Sequence, residues 1–398
     1  MTKPAIEGGK PVRKKFLVFG RPKITQKEIN EVVATIKSGW LGTGPKTKLF
    51  EKNFGTYVHA KHAIALNSAT AGLHLALDVL GIKAGDEVIT TPLTFPSTAN
   101  VIVHHHAVPV FADIDQKTWN INPSEIEKKI TKRTKVIIPV DLHGRPCEYD
   151  RIMKIAKKHR LYVIEDAAHA AEAWYKDKKI GSIADFTAFS FYVTKNIMTG
   201  EGGMLTTNNK VWAEEARIRS LHGISKDAWK RYSSSGYSPY ETLYPGYKYN
   251  MIDLMASFGI HQLANVENNL KTRQNYWAMY DEAFSRVSEV TLPAPETSNT
   301  RHARHLYAIL LHLDQLKISR DYFIDALNKE GVGCGVHFSA LHLHNYYSKT
   351  FGYKSGDFPV SEYVGERTVS LPLSPAMSKQ DIEDVIAAVK KLIHYYKK

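Results

Sequence analysis

Apolar and polar positions along the chain follow two periods, and the switches between them mark its elements. Thr25-x-x-Glu28 is a capping box, and Ile29, Val32, Val33 and Ile36 follow at helical spacing until Gly39 ends the helix. Trp40-Leu41-Gly42-Thr43-Gly44-Pro45 is then a turn with two glycines and a proline, too rigid and too short for a linker. From His62 onward the pattern alternates. Ala63 to Leu66 reads as a strand, Thr70 to Leu80 as a helix stopped by Gly81, and Glu87 to Thr91 as a strand. Val108 to Phe111, Val136 to Val140 and Leu161 to Ile164 are further apolar runs, with helical segments such as Asp150 to His159 between them. Buried strands separated by helices predict an α/β fold with a largely parallel sheet covered on both faces. Thr187 to Phe191 and Gly203 to Thr206 add two strands across a short loop, a spacing that suits an antiparallel pair and a mixed sheet.

Past Met251 the alternation stops. A long helical stretch to about Arg286 precedes a loop over Pro293 to Thr300 and a strand over Leu306 to Leu311. A helix over Arg320 to Lys329 and a strand over Gly335 to Phe338 follow. The last helix starts at the capping pair Ser378 and Asp381, with Ile382, Val385, Ile386, Val389, Leu392 and Ile393 on one face. This reads as a smaller α+β domain. With 398 residues, too many for one ordinary core, the expected division is a large unit over 1–250 and a connecting helix plus small domain over 251–398.

Two strand ends carry candidate chemistry. Ser190-Phe191-Tyr192-Val193-Thr194-Lys195-Asn196 leads from an apolar strand to Gly200-Glu201-Gly202-Gly203. A lysine is a poor nucleophile while protonated, so one used in catalysis sits where burial or charge lowers its pKa. Upstream, Leu161 to Ile164 runs into Glu165-Asp166-Ala167-Ala168-His169, an acid at the C-terminal edge of a strand, where open α/β sheets hold ligands. A lysine and a carboxylate so placed are what a pyridoxal phosphate site requires. On the residues alone, Lys195 is also readable as a surface lysine, and Asp166 as a helix N-cap. Asn67-Ser68-Ala69-Thr70 joins a strand to a helix, so the N–H groups of Ala69 and Thr70 and the Thr70 hydroxyl suit a phosphate; ordinary N-capping explains the same residues.

Composition narrows the partners. The formal charge of +13 comes from lysines scattered over helix faces, with no basic-aromatic repeat, so no nucleic-acid partner is expected; the excess would steer an anionic small substrate. No apolar run reaches membrane-spanning length, and the basic stretch from Met1 to Phe16 has no apolar core of a secretory signal. Cys147 and Cys334, far apart, fit a reduced cytoplasmic setting as packing thiols. Gly331-Val332-Gly333-Cys334-Gly335 follows a helix, the wrong order for a dinucleotide turn. His104-His105-His106 and His342-x-His344 lack metal-site spacing, so no metal is expected.

EDAAHA, SFYVTKN with GEGG, NSATAGLHLAL and GYKYNM, in this order, resemble the motifs of the DegT/DnrJ/EryC1/StrS family of sugar aminotransferases, from about Phe19 to the C-terminus. The resemblance implies a fold-type-I transferase dependent on pyridoxal phosphate (PLP), passing through pyridoxamine phosphate. It makes Lys195 the Schiff-base lysine and Asp166 the partner of the pyridine nitrogen. It places His169, where many relatives carry glutamine, near the cofactor's 3-oxygen, and Phe95 against the pyridine ring. Ser190 joins Ala69 and Thr70, where relatives usually have glycine at 69, around the phosphate. Asn250 matches a residue that reaches the neighbouring subunit's phosphate, which implies a homodimer with shared active sites; relatives reading GYNYRM put the asparagine where Lys248 stands. Thr43, Arg231 and His337 fall to the substrate, with His342 near it. Ile224 to Pro245 is expected to form a loop over the sugar nucleotide, where Lys226, Lys230 or Arg231 would meet its diphosphate. The implied reaction moves an amino group from L-glutamate to a nucleotide-linked 4-keto-6-deoxy sugar, in polysaccharide or glycan biosynthesis. Rival readings are a sugar dehydratase, an aminohydroxybenzoate-synthase-like enzyme and a non-catalytic regulatory relative. Dehydratases acting on 4-keto-6-deoxymannose carry histidine in place of the lysine, and Lys195 argues against that version.

Overall fold

A computed structural model of the chain describes residues 3–224, 241–297 and 299–398. Lys226, Lys230 and Arg231 lie outside the described residues. After a single 3-10 turn, Ala5–Glu7, come α1 (Gln26–Ser38), α2 (Pro45–Tyr57), β1 (His62–Leu66), α3 (Ala69–Val79), β2 (Glu87–Thr90) and α4 (Pro96–His104). Next are β3 (Val108–Phe111), α5 (Pro123–Lys129), β4 (Thr134–Ile138), α6 (Tyr149–His159) and β5 (Tyr162–Asp166). The short β6 (Trp174–Tyr175) and β7 (Lys178–Lys179) precede β8 (Phe186–Ser190), β9 (Gly203–Thr207) and α7 (Lys210–Arg219). Then follow α8 (Asp253–Ala264), α9 (Val266–Phe284), β10 (Val290–Thr291), β11 (Thr300–Arg301) and β12 (Tyr307–Leu311). The chain finishes with α10 (Arg320–Lys329), α11 (Asn345–Phe351), α12 (Pro359–Arg367), β13 (Thr368–Leu371) and α13 (Lys379–Tyr396).

The large sheet has the order β1-β9-β8-β5-β4-β2-β3. Its β3, β2, β4, β5 and β8 run parallel, while β9 is antiparallel to both β8 and β1, so the sheet is mixed and mostly parallel as expected. Helices cover both faces because successive strand residues point to opposite sides. Ile64, Val136, Ile138 and Ile164 join α3 in one core, whereas Ala63, Ile137 and Val163 join Phe50 and Phe54 of α2 in the other. A second sheet, β10-β12-β13, is antiparallel and packs Tyr307, Ile309 and Leu311 against Trp277 and Tyr280 of α9 and Val385 and Val389 of α13. The N-terminal segment joins this second core: the N–H groups of Ala5 and Val12 donate to the buried Glu330 carboxylate at 2.8 and 2.9 Å. No helix among the described residues is long and apolar enough to cross a membrane.

Three expectations need correction. The helical stretch from Met251 to Arg286 is two helices, broken at Asn265 (φ −109°, ψ 4°). The break lets α8 pack on α1 and α2 while α9 turns to α13. Gly335 to Phe338 is not a strand: Gly335 makes one bridge to Ser370, and the edge of β12 is taken by β13. On α1 the capping box of Thr25 and Glu28 is present, but the face buried in the chain is that of Glu28 and Thr35. Ile29, Val33 and Ile36 are exposed, because α8 meets the opposite side, where Gln262 donates to Glu28 at 2.8 Å.

A buried acid pair lies under the functional end of the sheet. Asp141 accepts from the Cys147 N–H (2.8 Å) and the Tyr149 hydroxyl (2.9 Å), and Glu165 accepts from the Thr187 hydroxyl (2.7 Å). Their remaining oxygens, Asp141 Oδ2 and Glu165 Oε1, are buried without a hydrogen-bond partner among the described residues. Burial raises both above the ordinary carboxyl range, so the pair retains a proton that the unfolded chain releases above about pH 4. A raised folded pKa contributes stability below the unfolded value and loses it as pH rises. Glu165→Gln keeps an acceptor for the Thr187 hydroxyl and removes one of the two titrating carboxyls. It is therefore expected to melt like the wild type at pH 4 and to gain on it progressively towards pH 8. Thermal melts across that range check it.

Candidate active site

The carboxyl ends of β1, β2, β5 and β8 converge, and the loops that leave them carry most of the residues singled out in the sequence. After β1, Ser68 caps α3, its hydroxyl accepting the Ala71 N–H at 3.1 Å. The N–H groups of Ala69 and Thr70 stand at the first turn, where a helix end favours an anion. Ser190, the last residue of β8, pairs with Gly203 of β9. A Cβ on Gly203 would lie 2.3 Å from the Ser68 carbonyl carbon and 2.5 Å from the Ala69 nitrogen, so only glycine lets the sheet approach this helix end. Phe95 precedes α4 with its ring exposed, 5.9 Å from that of Phe338.

Asp166 ends β5 and is buried. Its Oδ2 accepts from the Thr98 hydroxyl at 2.8 Å and its Oδ1 from the Ala168 N–H at 3.2 Å. Burial raises its pKa, and Thr98, the Ala168 N–H and the charge of Lys195 oppose that rise. Lys195 lies in the turn after β8, its N–H bonded to the Tyr192 carbonyl at 2.8 Å. Burial depresses its amine from 10.5 to about 8, with Asp166 pulling the other way. The surroundings thus move the lysine towards the neutral, nucleophilic form.

Histidines form the third side. His169 Nδ1 accepts the His143 N–H at 3.2 Å, so its hydrogen is on Nε2. Its ring stacks on Phe338 (6.0 Å, 20°) and tilts against His305 (4.6 Å, 38°). His337 bonds Ser370 through Nδ1 at 2.9 Å, and its carbonyl meets His143 Nε2 at 2.8 Å. Burial lowers all four imidazoles, His143 to about 4 and His337 to about 3, so they are neutral near pH 7.

The sequence brought Lys195, Asp166, His169 and His337 to one place. Thr43 and Asn250 lie together elsewhere on the rim: Asn250 donates to the Thr43 hydroxyl at 2.7 Å, accepts from Lys248 at 2.6 Å and bridges Leu66 of β1. Among the described residues, neither shares a hydrogen bond with Lys195 or Asp166. Thr98, His143 and His305 were not singled out. The spacing of Thr94 and Thr98, one helical turn apart with hydroxyls 2.9 Å from each other, was the available signal for the first. The site suits PLP: a helix end for its phosphate, a cradle that a Cβ would fill, a buried acid for its ring nitrogen and a half-buried lysine amine of lowered pKa for its aldehyde.

A model of the DegT/DnrJ/EryC1/StrS aminotransferase family matches residues 22–390. Over 382 residues the chain is 56% identical to the uncharacterized protein MJ1066 of Methanocaldococcus jannaschii, covering 96% of this chain and 99% of that protein. It is 50% identical over 382 residues to SpsC of Bacillus subtilis, a spore coat polysaccharide biosynthesis protein, covering 96% of this chain and 98% of that one. Among solved structures, the PLP form of Spr1654, a putative sugar aminotransferase of Streptococcus pneumoniae, matches with a TM-score of 0.89 at 36% identity, covering 96% of this chain and 99% of that chain. The same protein is known in a PMP form.

Proposed function

The chain belongs to the DegT/DnrJ/EryC1/StrS aminotransferase family, which is PLP-dependent, and on that footing we propose that it transfers an amino group from L-glutamate to a nucleotide-linked keto sugar, most simply a 4-keto-6-deoxy sugar. The observation that carries this reading is the pairing of a half-buried amine of lowered pKa, Lys195 in the turn after β8, with a buried carboxylate, Asp166 at the end of the adjacent parallel strand β5. PLP, when bound, supplies an aldehyde that takes up an amine and a ring that draws off the electron pair left by proton loss. Lys195 would hold the cofactor through its Nζ and, when free, would move a proton between the substrate carbon bearing nitrogen and the cofactor. Asp166 keeps the ring nitrogen protonated, with Thr98 orienting its carboxylate. The N–H groups of Ala69 and Thr70, with Ser190, bind the phosphate, Phe95 covers the ring, and His169 offers its Nε2–H to the 3-oxygen. Thr43 and His337 would meet the sugar nucleotide. SpsC, a polysaccharide biosynthesis protein, supports a role in glycan assembly, and the free thiols Cys147 and Cys334 suit the cytoplasm.

We take 1–250 as the cofactor-holding unit and 251–398 as the connecting helices and small domain, supported by the separate core around Trp277, Tyr307 and Val385. A homodimer with shared sites is supported by the exposed stripe on α1, where Ile29, Val33 and Ile36 are 46%, 43% and 53% exposed. Val33→Asp is expected to convert dimer to monomer in light scattering and to lower activity; a wild-type chain that is monomeric and active would sink the dimer.

Incubation with L-glutamate and UDP-, dTDP- or GDP-linked 4-keto-6-deoxy sugars tests the substrate. One acceptor should yield amino sugar and 2-oxoglutarate in equal amounts. Release of 2-oxoglutarate with no 4-keto sugar aminated would contradict the acceptor, and loss of a sugar hydroxyl instead would favour a dehydratase.

A further inference from the structure

The residue after Lys195 has no place in the reaction as described, yet it is the most heavily bonded side chain in that turn. Asn196 Nδ2 donates to Glu172 Oε2 at 2.8 Å and to the Ala303 carbonyl at 3.0 Å. Both partners only accept, so the amide orientation is fixed and Oδ1 faces His305 Nδ1, 2.9 Å away. His305 therefore carries its hydrogen on Nδ1 and leaves Nε2 as an acceptor. Glu172, 0% exposed, is ion-paired to Arg273 of α9, 1% exposed, whose guanidinium also donates to the carbonyls of Arg304 (3.0 Å) and Ala303 (3.3 Å). The turn of Lys195 is thus tied through one amide to a buried ion pair and to the segment bearing His305.

His305 in turn faces His169, the two rings 4.6 Å apart. Their forced tautomers are opposite: His169 has its hydrogen on Nε2, His305 on Nδ1. A cation on either ring would repel the amine of Lys195, which acts on both. The charged and titratable groups around His305 are Lys195, His143, His169, His337 and Arg273, with Glu172 joined to it through Asn196.

We propose that Asn196 and His305 are positioning residues for the lysine: Asn196 anchors its turn to the Glu172–Arg273 pair and locks His305 as the neutral Nδ1–H tautomer beside His169. Without the anchor, the turn shifts and the imidazole loses the acceptor of its Nδ1–H. The inference rests on Lys195 being the residue that holds PLP.

The test uses PLP-loaded protein and two readouts, steady-state amino transfer from L-glutamate and the pH midpoint of the visible absorbance of bound PLP. Asn196→Ala is expected to lower kcat by roughly ten- to a hundredfold, with KM for glutamate changed less than about threefold. Its absorbance midpoint should move by about half a unit or more. His305→Asn, whose amide nitrogen takes the place of Nδ1–H, should keep the wild-type midpoint, while His305→Phe should lose it. A folded Asn196→Ala protein with wild-type kcat and midpoint overturns the proposal, as do identical midpoints in the two His305 variants. Lys195→Ala separates the two levels of reading. A visible band indifferent to Lys195 refutes the lysine assignment itself, whereas a band that needs Lys195 but ignores Asn196 refutes only the anchor.

Discussion

Lys195→Ala should abolish multiple-turnover amino transfer, with kcat/KM falling by roughly four orders of magnitude or more, because in the proposed reaction one amine would serve both as cofactor anchor and as proton carrier. PLP should still bind, since the α3 end and Asp166 do not depend on the lysine. The same change should stabilise the empty protein. Burial, the main cause, lowers the amine to about 8, so below that pH the folded site holds a charge it disfavours. A base with a depressed folded pKa binds fewer protons folded than unfolded between about pH 8 and 10.5, so its unfavourable share is fully present below 8 and fades as pH rises through that window. Melting of the PLP-free variant against the wild type at pH 7 should show a rise of a few degrees, shrinking by pH 10. Retained multiple turnover in Lys195→Ala would mean that the lysine has been misassigned.

Asp166→Asn is expected to cost roughly 10²- to 10⁴-fold in kcat, measured as the rate of the half-reaction with L-glutamate. An amide can still accept the Thr98 hydroxyl, so the fold and the site's shape should survive. What it cannot supply is a negative charge to hold the proton on the ring nitrogen. Stopped-flow absorbance after mixing with glutamate separates this loss from one of binding. A half-reaction as fast as the wild type's would remove Asp166 from its role.

These two residues were legible because their signal is local. A strand followed at once by an acid, or by a lysine before a glycine turn, places the side chain at the sheet's carboxyl edge from chain order alone. Thr98 and His305 were not legible. Thr98 reaches an acid 68 positions away, and His305 gains its place through Asn196, 109 positions earlier. Asn196 stands within the SFYVTKN motif, yet its partners come from Glu172, Ala303 and His305, which only the folded chain assembles. The errors have the same root. Helical periodicity runs on through Asn265 although two packing surfaces pull the chain apart there, and the alternation at Gly335 to Phe338 gave no sign that β13 already held the edge of β12. The apolar stripe of α1 is apolar as its sequence reads, but the described residues of the chain leave it exposed.

The central claim is that Lys195 and Asp166 hold PLP and turn it over with an amino donor. The most direct measurement is the absorbance spectrum of the PLP-loaded protein before and after L-glutamate alone. The account predicts a visible band that gives way to near-ultraviolet absorbance, with 2-oxoglutarate released in proportion to the sites converted. A band that glutamate leaves unchanged would contradict glutamate as donor, and the absence of any protein-bound band would contradict the site itself.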